Sequence, residues 1–344
     1  MNGSSSQSVQ KKVGQDSIFA RLLSRIGQEE IVVLVTLVLF ALFCIVVDRF
    51  ATVGNLLTLT RNVSALGVLA VGMAMVVIAR GLDLSQVANM SLGIAWAIKL
   101  TNDGTPMSIA LILGLAFVVL VGLVNGFLVA FVEIPPLFAT LATGIFVFGF
   151  GRVVMLPAVL QHHIPETAKA WIFLGSGTFL GIPMTIIIFP IVAIIGAFFL
   201  KRTVRGKFLY GHGDNLETAR ITGIGVRPQT ILEYILCAVF GYIGGFFMAG
   251  STGSMDVIIF NSTLIFDVIL VVVLGGISLT GGRGSIWSVI AGTALIGTIL
   301  NAMILMNIQS DVQSIVKGLA LLAAILLDNR LHPRDEETAR QGDT

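Results

Sequence analysis

The sequence predicts an all-α, polytopic helical membrane protein, and three observations predict it. The chain is 56% hydrophobic and only 12% charged, whereas soluble domains carry roughly 25% charged residues. Its mean hydropathy is +0.96. Apolar runs long enough to cross a bilayer recur from end to end, since a helix rising 1.5 Å per residue needs about 20 of them.

Taken in order, residues 1–28 are rich in Ser, Gln and Lys and too polar for a secretory signal. They read as a cytoplasmic tail. The run beginning at Ile31 lacks a small-residue cleavage site and reads as a retained first span. About ten spans follow from the hydropathy, near 31–47, 61–79, 84–100, 108–132, 137–156, 179–200, 229–250, 263–279, 285–305 and 310–327. The link at Arg80-Gly81-Leu82-Asp83 is very short, and Arg61, read as beginning its span, can snorkel to the interface. The longest segment on the outer side is 157–178. It holds His162, His163 and Glu166, which read as an exposed loop without further metal ligands, and no metal site is expected. Residues 331–344 are charged and read as a second cytoplasmic tail, leaving 29–330 as the membrane domain.

Orientation follows from the bases. With both termini inside, fifteen of the 21 Lys and Arg residues fall on the cytoplasmic side, as the positive-inside rule requires. Six of the fifteen (Lys201, Arg202, Arg205, Lys207, Arg220 and Arg227) lie in the central segment 201–228, the one sizeable polar island in the chain. Its acids and bases read as a short helix, with Asp214 or Asn215 as N-cap, Glu217 in the first turn and Gly223 ending it. No phosphate-binding G-x-x-x-x-G-K-[ST] motif occurs anywhere, so any ATP that drives this chain is bound by another subunit.

Within the spans, small and polar residues stand out. Gly122 with Gly126, and Gly241 with Gly245, are each four apart and suit close helix packing within the subunit. Asp83 with Ser85 reads as the cap of the third span. Gln86 and Asn89 lie three apart, their amides directed to the same side. With Asp83, Ser85, Asn125 and Thr140 they are the candidate groups along a path for a hydroxylated solute. Lys317 lies near the middle of the last span, where a charge costs roughly 2.5–3.5 kcal/mol on insertion scales; Asp267 is its candidate partner. The two cysteines, Cys44 and Cys237, sit in apolar runs and imply no disulfide.

Five blocks then carry a resemblance. They are Asn62–Met73; Gly81-Leu82-Asp83-Leu84-Ser85; Gly122–Gly126 with Ile134–Leu141; the central segment; and Leu274–Ser285 with Val316-Lys317-Gly318. In this order, over roughly residues 50–328, the chain resembles permease subunits of ribose-type sugar ABC importers, in the superfamily that includes branched-chain amino-acid permeases. The resemblance implies an inner-membrane subunit that pairs with a second permease copy or a homologous one. It implies cytoplasmic ATPase subunits as partners and a periplasmic solute-binding protein that delivers the solute. No nucleic acid, cofactor or catalytic residue is implied. The central segment is similar to that family's coupling loop at Asn215, Glu217, Ala219, Gly223 and Ile224, with Thr218 in place of an alanine. After Ser85 the family continues Val-Gly-Ser-Val where this chain reads Gln86-Val87-Ala88-Asn89, and Glu133 stands where Arg is frequent. The solute is therefore left open among ribose or another pentose, other monosaccharides, polyols and autoinducer-2.

Two rivals compete. An ion-coupled secondary transporter of a small polar solute needs several ionisable groups at mid-membrane, and only Asp267 and Lys317 come near. An intramembrane enzyme needs a nucleophile and base, or a metal cluster, inside the spans, yet His162, His163, His212 and His332 all read as lying outside them.

Overall fold

The structure is a computed structural model that describes residues 28–157 and 159–331. The two predicted tails lie outside the described residues, apart from Gln28 and Leu331 at their inner edges.

Thirteen α-helices are described: α1 Gln28–Val46, α2 Val53–Ile78, α3 Gln86–Asn102, α4 Met107–Ala130, α5 Pro136–Phe150, α6 Lys169–Ser176, α7 Met184–Arg202, α8 Val204–Asp214, α9 Leu216–Ile221, α10 Val226–Thr252, α11 Leu264–Leu274, α12 Ile286–Leu305 and α13 Ser310–Leu331. Seven membrane-length apolar helices stand among them: α1, α2, α4, α5 with the π-helical turn that continues it, α7, α10 and α12. The remaining predicted spans fall on α3, α11 and α13. Strands are few and short: β1 Gln161–His163, β2 Thr178–Phe179, β3 Ile182–Pro183 and β4 Ser254–Asp256.

α2 and α10 form the centre. α10 packs against α2, α3, α4 and α6, while α2 also packs against α7, α11 and α12. Every residue of α2 from Leu66 to Ile78 is buried, as suits a helix that is apolar on all sides. Glycines set the closest approach. A methyl on Gly122 would lie 2.8 Å from the Tyr234 carbonyl oxygen, and one on Gly126 would lie 2.5 Å from Ile231 Cα, so α4 meets the α10 backbone directly. Gly241 and Gly245 make room for Gln86 and for Met90 with Ile94 of α3.

Four expectations change. α2 begins at Val53, not near residue 61, because Thr52 caps it by accepting from the Asn55 N–H. Arg61 therefore sits two turns inside the helix, and its Nε is buried. The span expected over 263–279 contains a helix of only 11 residues, about 16 Å long and too short to cross the hydrocarbon alone. It ends where Gly276, Gly281, Gly282 and Gly284 all take positive φ, a conformation open to glycine and incompatible with continuing the helix. Finally, residues 161–176 are no open loop. β1 pairs antiparallel with β4, placing His162 opposite Met255, and His162 is buried. In α6, Trp171 is fully buried, donates from Nε1 to the Phe246 carbonyl at 3.0 Å and stacks on the Phe246 ring.

Candidate functional site

The central segment folds as two short helices joined at one residue. Thr203 caps α8 by accepting from the Gly206 N–H at 3.0 Å. Asn215, in extended backbone, ends α8 and caps α9, its Oδ1 accepting from the Thr218 N–H at 2.9 Å. At the far end Gly223 takes φ +83°. The Gly223 N–H donates to the Arg220 carbonyl and the Ile224 N–H to the Ala219 carbonyl, a Schellman closure. Ile224 folds back toward Gly211 of α8.

The five candidate coupling residues thus divide by position. Asn215 and Gly223 set the two ends of α9, Ala219 is buried beneath it, Ile224 braces the exit, and Glu217 points outward. Glu217 lies 3.5 Å from Arg220, both well exposed. Sequence reasoning missed Ile221, which is 85% exposed at the end of α9. Its signal was an isolated apolar residue in a polar island, on the same short helix as Glu217.

Behind α9, His212 in the last turn of α8 is buried, with Nδ1 3.6 Å from Glu233 Oε2 of α10. Burial, followed by the charges of Arg80 and Arg220, pushes the imidazole down to about 4. Its folded value lies below the ordinary 6.5, so the unfolded chain binds the proton more tightly. The stability this group contributes is complete above pH 6.5 and is lost as pH falls toward about 4. A thermal-unfolding series across that window should show falling stability, and His212→Gln should flatten the dependence.

The candidate path residues occupy the break between α2 and α3. Asp83 Oδ1 accepts from the Ser85 N–H at 3.0 Å and from the Ser85 hydroxyl, so the turn is tied by Asp83 while Ser85 makes no capping bond. Asn125 of α4 donates to Ser85 Oγ at 2.7 Å. Thr140 of α5 donates to the Pro136 carbonyl and accepts from the Leu84 N–H at 3.1 Å. Gln86 and Asn89 do not share a direction. Gln86 Nε2 donates to the Leu69 carbonyl on α2 at 2.9 Å, and Asn89 Nδ2 to the Val118 carbonyl on α4 at 3.1 Å. All six residues are at most 1% exposed, and the free oxygens of Gln86, Asn89 and Asn125 have no hydrogen-bond partner among the described residues.

The ionisable pair lies apart from these. Lys317 Nζ of α13 is 2.9 Å from Asp267 Oδ1 on α11 and 2.7 Å from Thr263 Oγ1. Both side chains are mostly buried.

Residues 55–325 match the family model described as branched-chain amino acid transport system / permease component. The ribose import permease protein RbsC of Escherichia coli (strain K12) is 30% identical over 86% of this chain and 91% of that protein. RbsC of Bacillus subtilis (strain 168) is 31% identical over 94% of this chain and 97% of its own length. The L-arabinose transport system permease protein AraH of Escherichia coli (strain K12) is 32% identical over 90% and 92%. No solved structure matches the chain.

Proposed function

The chain belongs to the branched-chain amino acid transport system / permease component family, and on that premise we propose that it is the membrane-spanning subunit of an ATP-binding-cassette importer of a sugar or sugar-like solute. Support for the solute class comes from relatives named for ribose import and L-arabinose transport, each aligned over most of both chains. The chain itself does no bond chemistry; ATP hydrolysis belongs to separate cytoplasmic subunits, and a binding protein presents the solute from the periplasm of the inner membrane.

Topologically, we read the seven long helices together with α3, α13, and α11 extended by the glycine-rich turn after it, as ten spans, N-in and C-in. The membrane domain is 29–330, flanked by the two tails. This puts segment 201–228, with its six bases, in the cytoplasm. The observation that carries the coupling reading is the outward face of α9, where Glu217, Thr218 and Arg220 surround an almost fully exposed Ile221. A large aliphatic side chain on a polar, water-facing helix is an anchor for a groove on a partner. The cytoplasmic ATPase subunit is that partner. Closure of the ATPase dimer would move α9, and two permease copies would then open a path between them to one side at a time.

The six buried polar residues between α2, α3, α4 and α5 serve this cycle as interior groups. A solute reaches Asp83, Ser85, Gln86, Asn89, Asn125 and Thr140 only after α3 separates from its neighbours. The Asp267–Lys317 pair joins α11 to α13, a structural tie that closes the short helix against the last span.

The test is uptake into vesicles holding this chain with its ATPase subunit and binding protein, using a panel of pentoses, hexoses and polyols. ATP-dependent accumulation of at least one sugar is expected. Accumulation that persists without the ATPase subunit, under an imposed ion gradient, would instead make the chain a secondary transporter.

A further inference from the structure

Directly behind α9, three stretches of chain approach to backbone distance, with the Arg80 side chain lying against Gly281. They are the end of α2, the end of α8 and the glycine-rich turn before α12. The Gly282 N–H donates to the Ile78 carbonyl at 2.7 Å. A methyl on Gly213 would fall 1.8 Å from that same oxygen and 2.6 Å from Gly282 N. A methyl on Gly282 would meet Asp214 Cα at 2.8 Å, and one on Gly281 would meet the Gly213 oxygen at 2.8 Å. Contacts this close leave no slack for one segment to slide past another.

Arg80 pins the junction. It takes φ +66°, a left-handed conformation costly to any residue with a Cβ, at the position where a helix usually ends in glycine. The Gly81 N–H closes the turn onto the Val76 carbonyl at 2.8 Å. From there the guanidinium reaches both other segments, Nε donating to the Thr280 carbonyl at 2.6 Å and a terminal nitrogen to the Asp214 carbonyl at 2.5 Å. Asp214 is the last residue of α8, so its carbonyl is one of the unpaired acceptors at the negative end of that helix. Only Asn215 separates it from α9.

We propose that this junction, with Arg80 as its positioning residue, passes displacement of α9 to the cytoplasmic ends of α2 and α12. The inference rests on the coupling role of α9. One residue links α9 to the pinned end of α8, so a shift of α9 cannot be absorbed locally. It moves the Asp214 carbonyl and, through Arg80 and the Gly282–Ile78 bond, both membrane helices together. α2 is the buried central helix, so its displacement reaches the α2–α3 break that holds Asp83 and Ser85.

The experiment uses the assembled transporter in nanodiscs and compares Arg80→Gln, Arg80→Lys and an insertion of Gly-Gly between Asp214 and Asn215. The insertion keeps the α9 caps and the Arg80 contacts and loosens the one-residue link between them, leaving Ile224 against Gly211 as the remaining contact. For Arg80→Gln and the insertion, the ATPase subunit should co-purify as in the wild type, while solute-stimulated hydrolysis and uptake fall roughly ten-fold or more. Arg80→Lys should recover part of the loss, since a lysine supplies the charge without the fork that spans two carbonyls. Normal stimulation in the insertion variant overturns the proposal, whether or not Arg80→Gln folds. Loss of ATPase co-purification in Ile221→Asp, measured alongside, tests the coupling role itself, so failure of the two ideas is separable.

Discussion

Replacing Ile221 with aspartate is expected to release the ATPase subunit from this permease while leaving the permease folded. The side chain is 85% exposed in the free chain, so its loss removes no internal packing. Burying an isoleucine in a partner's groove is worth about 1.5–3 kcal/mol, and a carboxylate there adds a desolvation cost. The ATPase subunit should bind roughly one hundred-fold more weakly or worse. Ile221→Ala should fall between, because it loses the contact without introducing a charge. Co-purification in mild detergent reads the difference, and retention of full affinity by Ile221→Asp would remove α9 as the docking element.

The second large effect concerns Lys317. Replacing it with methionine leaves Asp267, whose side chain is only 10% exposed, beside an apolar neighbour. Breaking a buried ion pair by removing one partner costs about 3–5 kcal/mol, and here the orphaned group lies in the apolar helix α11. A marked drop in the thermal-unfolding midpoint is expected. The double variant Asp267→Asn with Lys317→Met should regain most of it, because the penalty comes from the unpaired charge and not from loss of the pair. A double variant as unstable as Lys317→Met alone would contradict that account. Wild-type uptake in the double variant would also separate this pair from any ion-coupling role.

What the sequence made legible was local or compositional. Apolar runs located the helices, and the central polar island gave α9, its ends marked by the capping chemistry of Gly223 and of one of the two candidate caps, Asn215, while α8 before it was not read. The rest depended on contacts distant in the chain. His162 was unreadable as a buried residue because its strand pairs with residues more than 90 positions away. The 263–279 span looked continuous because hydropathy is blind to the positive φ at Gly276, just past the helix end. Gln86 and Asn89 illustrate a finer limit. Residues three apart lie about 60° from each other on a helix, which counts as one face when a single neighbour covers it. α3 is buried on all sides, so 60° is enough to aim one amide at α2 and the other at α4. Arg80 was visible as a base in a short turn, yet nothing local shows that its guanidinium would bridge residues 214 and 280.

The central claim is that work done by a separate ATPase enters through α9. Solute-stimulated ATP hydrolysis by the assembled complex, comparing wild type with Glu217→Lys, tests it most directly. Glu217 is exposed, and its only charged contact among the described residues is Arg220 one turn on, so the reversal leaves the membrane domain undisturbed. The predicted result is normal membrane insertion with stimulation abolished; stimulation equal to wild type would contradict the account.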